Sequence, residues 1–156
     1  MKTVYRVLAY LVAAEVVVQA MAIVYAIFGL GKWVDGGGVL DKSVMEGEGS
    51  PFPEISGLVL HGMNGMIVVP SIALILLICS FFTGIPRAAR WAGLVLLLVV
   101  IQVNLGFAGH EMPAIGALHG LNALALFTTA LYTARRARVP AAAPAAPADA
   151  RVGTPA

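Results

Sequence analysis

The stretch from Trp91 to Gly109, WAGLVLLLVVIQVNLGFAG, carries no charged residue and is broken only by the amides of Gln102 and Asn104. Crossing the hydrocarbon core of a bilayer takes about 20 mostly apolar residues in a helix. Working outward, three further stretches have the same character: Val4–Leu30, Ile55–Phe82 and Met112–Ala134. The chain of 156 residues is 60% hydrophobic and 12% charged, well outside the usual soluble range. The expectation is an all-α integral membrane protein, a four-helix up-down-up-down bundle over residues 1–138 with short connections. No soluble domain fits between the spans.

Basic residues set the orientation of such a bundle. With the N-terminus inside, Lys2, Arg6, Arg87, Arg90, Arg135, Arg136, Arg138 and Arg151 are cytoplasmic, and only Lys32 and Lys42 face outward. Both termini are therefore predicted to be cytoplasmic in a multi-pass protein of the cell membrane. The arginines read as topology signals, so the net charge of +2 gives no argument for nucleic acid. The first apolar run exceeds the ~7–15-residue core of a signal peptide and is read as a retained helix. The outer loop Gly31–Glu54, with its glycine triplet and prolines, is too broken to span. Gly84-Ile85-Pro86-Arg87 makes the inner turn. Residues 139–156, rich in Ala and Pro, are expected to form a disordered tail.

Two segments repeat. Leu60-His61-Gly62-Met63-Asn64-Gly65-Met66 returns as Leu118-His119-Gly120-Leu121-Asn122-Ala123-Leu124. Val16-Val17-Val18-Gln19 has a weaker echo in Val99-Val100-Ile101-Gln102. Together they suggest a 2+2 repeat of helix pairs related by a pseudo-twofold along the membrane normal. Histidine within a membrane helix usually marks a functional site. Two at one depth, facing across the bundle axis, suit the axial positions of a haem iron. Gly62, Gly65, Gly120 and Ala123 leave room beside them for a flat ring, and Asn64 and Asn122 share the histidine faces. The opposing reading is helix packing, since His and Asn hydrogen-bond between membrane helices and small residues permit close approach. A zinc site is underfilled by two histidines, and Cu(I) ligation by Met63 and Met66 has no counterpart on the fourth helix.

Gln102-Val103-Asn104-Leu105-Gly106 through His110, followed by Ala117-Leu118-His119 and Leu121-Asn122-Ala123-Leu124, resembles one half of haem A synthase. That family has two four-helix halves, with paired histidines on the second and fourth helices of each. The resemblance covers residues 55–135 and implies a haem held by His61 and His119. The chain also resembles small four-helix membrane proteins of actinobacteria. It departs from the synthase in having Leu58 where an acid precedes the first ligand, in lacking paired loop cysteines, and in having one half-bundle. Haem binding is what carries over; synthase activity does not.

The resulting expectation is a b-type haem protein with bis-histidine ligation near the outer face. Its role would be electron transfer or haem handling beside a respiratory or other redox membrane complex. The alternatives are an accessory subunit whose histidines serve packing, or a quinone or small-molecule site. Enzymatic activity of its own is the lesser expectation, because no acid–base pair or nucleophile lies near the histidines. Glu15, mid-helix, costs about 2.5–3.5 kcal/mol on insertion scales. It reads either as part of a proton path or as a partner of Gln19 or a hydroxyl. His110 reads as a propionate contact or a solvated residue, Pro70 as a kink, and Cys79 as packing.

Overall fold

A computed structural model describes residues 1–47 and 49–137; the tail expected at 139–156 lies outside the described residues. Those residues form helices without strands. They are α1 (Lys2–Asp35), α2 (Lys42–Glu46), a 3-10 turn (Pro53–Ile55), α3 (Ser56–Met63), a π turn (Asn64–Val68), α4 (Val69–Ser80), α5 (Ala88–Glu111) and α6 (Pro113–Arg136). Four spans are long and apolar enough to cross a membrane: α1, Pro53–Ser80, α5 and α6. Large apolar side chains such as Met21, Phe28, Ile67 and Leu124 are exposed along them, the surface a lipid bilayer would cover.

α1 and α5 outrun their apolar stretches at both ends, whereas the second span stops at Ser80, short of Phe82, and α6 starts at Pro113. α1 continues past Leu30 until Gly36 and Gly37, where Gly36 N–H reaches Lys32 O at 3.1 Å and Gly37 takes φ +94. The outer loop is not wholly irregular: Asp41 caps the short α2, accepting from Val44 N–H at 3.0 Å and from Ser43 Oγ at 2.6 Å. In the second span Pro70 has no N–H to give and its ring crowds the preceding turn. The helix answers with the π turn immediately before Val69, and Ser71 Oγ donates to Ile67 O at 2.6 Å.

α5 packs on α6, α6 on α1, α1 on α3 and α4, and α4 on α5. The four spans thus close a ring in which the second span lies diagonal to α6. The core sits at one end. There Tyr5, Ala9, Val12 and Ala13 meet Ala73 and Leu76, Ala92, Val95 and Val99, and Leu126, Ala130 and Ala134. Alanines let the backbones approach closely, which is how membrane helices gain dispersion contact. Tyr5 donates its hydroxyl to Ala88 O at 3.0 Å, fastening α1 to the start of α5. At the other end, α3 leans on α1 through Gly57, where an added Cβ would come within 2.4 Å of Ala22 O.

Candidate functional site

His61 on α3 and His119 on α6 are brought together, their ring centroids 6.0 Å apart and their planes inclined by 55°. They come from diagonal spans, so the meeting point lies near the bundle axis. Both are half-buried.

Each ring is held in the same way. His119 Nδ1 lies 2.9 Å from Gln102 O, and His61 Nδ1 lies 3.1 Å from Gln19 O. A carbonyl can only accept, so at His119 this contact places the ring proton on Nδ1 and leaves the lone pair on Nε2. A histidine that ligates metal is commonly oriented by such a bond from its other nitrogen.

The glutamine side chains repeat the pattern. Gln102 Nε2 donates to His119 O at 3.0 Å, and its Oε1 accepts from Asn122 Nδ2 at 2.6 Å. In the first half, with the Gln19 amide turned so that its nitrogen donates and its oxygen accepts, Nε2 reaches His61 O at 2.9 Å and Oε1 takes Asn64 Nδ2 at 2.9 Å. That nitrogen also lies 2.9 Å from His61 Nδ1. One amide hydrogen thus goes to His61 O, and the other faces the His61 ring, which accepts it only in the tautomer with Nδ1 unprotonated. Gln–His–Asn is therefore one unit made twice, on α1–α3 and again on α5–α6.

The halves differ at one contact. Asn122 Nδ2 gives its second hydrogen to the backbone of Leu98 at 2.9 Å. Asn64 Nδ2 gives its own to Glu15 Oε2 at 2.7 Å. Glu15 and Leu98 each stand four residues before their glutamine, so they occupy matching places. The anticipated Glu15 partners, Gln19 or a hydroxyl, give way to an asparagine from another helix.

Small residues shape the surroundings. Added Cβ atoms at Gly62 and Gly120 would meet nothing within 4 Å, so each histidine is followed by open space. At Gly65 a Cβ would come 3.2 Å from the Gln19 amide, and at Gly106 it would come 3.3 Å from His119 Cε1. Ala123, the counterpart of Gly65, is half-buried beside the second unit. His110 is not gathered in: it is exposed in the last turn of α5, about 12 Å along the axis from Gln102. Cys79 is buried, as a packing residue should be.

Gln19 and Gln102 complete the site and are not among the candidate site residues of the sequence, whereas Glu15, a candidate for a proton path, joins it through Asn64. The signal was present in the Val-Val-x-Gln echo, but apolar runs align too easily for a single glutamine to carry weight. No family model, curated protein or solved structure matches the chain. Its site must be read from this geometry. Among the described residues no three His, Cys, Asp or Glu side chains converge as a conventional metal cluster would. A site here would hold metal through two histidines, as haem allows.

Proposed function

We propose that the protein binds one b-type haem between His61 and His119 and serves electron transfer or haem handling beside a redox membrane partner. The observation that carries this reading is the ring pair at 6.0 Å, each Nδ1 turned to a glutamine carbonyl. Rings this close could both meet one metal centre. The donor set also fits: imidazole nitrogens, held from behind, in a half-buried setting. His61 and His119 would be the ligands, with Gly62 and Gly120 giving the ring its space. Gly65 and Ala123 let Gln19 and Gln102 reach their asparagines. Bound there, the haem would supply a one-electron redox centre.

The proposed topology is an up-down-up-down bundle with a 2+2 pseudo-twofold, both termini cytoplasmic and the histidines toward the outer face. The duplicated Gln–His–Asn unit supports the twofold. The contact of Tyr5 with Ala88, and the approach of Gly109 to Gly116 at the opposite end, support alternating directions. Eight of the ten basic residues fall on the cytoplasmic side of that topology.

One observation favours a second reading, in which the histidines only join helices. Among the described residues no buried side-chain polar atom lacks a partner, so the network is satisfied without a ligand. A reduced-minus-oxidised spectrum of the protein purified in mild detergent separates the two. Sharp b-type bands, lost in His61→Ala and in His119→Ala, are expected. Protein that stays colourless after haem is added would sink the haem reading.

A further inference from the structure

We infer that Glu15 is a redox-linked proton site: it takes up one proton when the neighbouring haem gains one electron. This rests on the haem reading above. The argument is the broken symmetry between two otherwise matching units. At Asn122 the second amide hydrogen is satisfied by the Leu98 carbonyl, so the fold does the structural work without a side chain at that place. At Asn64 a carboxylate does it instead. A carboxylate in an apolar span is the costlier solution, and the second unit demonstrates that it is dispensable for holding an asparagine. What Glu15 adds is a group that can change charge.

Its position suits that purpose. Glu15 precedes Gln19 by one turn of α1, and the Gln19 carbonyl meets His61 Nδ1. Its partner Asn64 follows His61 by three residues on the same face. Glu15 is therefore about one helical turn from the ligand residue along either helix. Among the elements packed on α1, α3 offers His61, the 3-10 turn Glu54, α4 Cys79, and α6 His119, with Tyr132 and the Arg135–Arg136 pair near its far end. The hydrogen-bond partner that reaches the carboxylate among the described residues is Asn64.

The balance is simple. With haem bound, one electron from a quinol-class donor, or from dithionite in the test, would take iron(III) to iron(II). One proton from water forms an O–H bond on the Glu15 carboxylate, and the total charge of the site is unchanged.

The test is a redox titration of the b-type bands at several pH values, in the intact protein and in Glu15→Gln and Glu15→Leu. Leucine is the residue the second unit already carries, so that variant keeps a side chain the architecture accepts. A one-proton coupling lowers the midpoint by about 59 mV for each tenfold fall in proton concentration. That slope is expected in the native chain and lost in both variants. An infrared difference spectrum should show a carboxylic acid band appearing on reduction, absent from Glu15→Gln. A slope undiminished in the variants, with no such band, overturns the inference while leaving the haem in place. Absence of b-type bands in the native chain defeats the haem reading and this inference with it.

Discussion

The two ends of the bundle are built on opposite rules. At the end holding Tyr5, Leu76, Val95 and Leu126, contact is apolar and tight, with alanines buried at every crossing. At the end holding His61 and His119, the inward side chains are polar, half-buried and tied by directional bonds, and glycines leave space unfilled. In lipid, apolar side chains gain little by turning inward, so a tight end must be stabilised by close packing. The polar end gives up some of that packing for a defined arrangement of rings. One end holds the helices by close packing, the other by directional hydrogen bonds.

Four tests would break or sharpen this contrast. The largest effect is expected at the polar end, where His61→Ala or His119→Ala should abolish the b-type spectrum while the spans persist by circular dichroism. Next comes an overpacking pair. Ala130→Leu, fully buried at the tight end, should cost about 1–3 kcal/mol. Gly120→Leu, facing open space, should change stability by less than about 0.5 kcal/mol yet reduce haem occupancy. Unfolding in detergent measures the first comparison and the pyridine haemochrome the second. If both substitutions destabilise alike, the ends do not differ as described.

A smaller effect is expected from Gln102→Ala, which removes the bonds to His119 O and Asn122. The loss should be about 1 kcal/mol, with a shifted haem spectrum because His119 is less firmly oriented. A loss without any spectral change would make Gln102 a packing residue alone. The smallest effect lies outside the spans. The Ser43 hydroxyl, and then the Val44 N–H, hold the Asp41 carboxyl below its ordinary range. Its capping contribution is therefore present above the unfolded value near pH 4 and fades as pH falls through the lower, folded one. Amide protection in α2, taken relative to the intrinsic exchange rate at each pH, should fall over that window while the four spans stay protected. Protection unchanged through the window would deny the cap any role.

Much of this was legible in the sequence, for a physical reason. Hydrophobicity is a property of consecutive residues, so Trp91–Gly109 and its three companions announce four spans without reference to anything distant. The histidine repeat was equally readable, since Leu60–Met66 and Leu118–Leu124 match residue by residue. The π turn was only half foreseen: Pro70 called for an irregularity, and the particular form depended on how the turn before it relaxed.

What the sequence determined by itself is thus the set of elements and the pair of histidines, because burial in lipid is settled by local composition. The tertiary structure decided which groups those histidines meet. The Gln19 carbonyl lies 42 residues from His61 along the chain, and Glu15 lies 49 from Asn64. A hydrogen bond acts over about 3 Å and only in line, so no reading of neighbouring residues reveals its partner. Packing of α1 on α3 and of α5 on α6 brings those atoms within reach, and with them the one unmatched carboxylate.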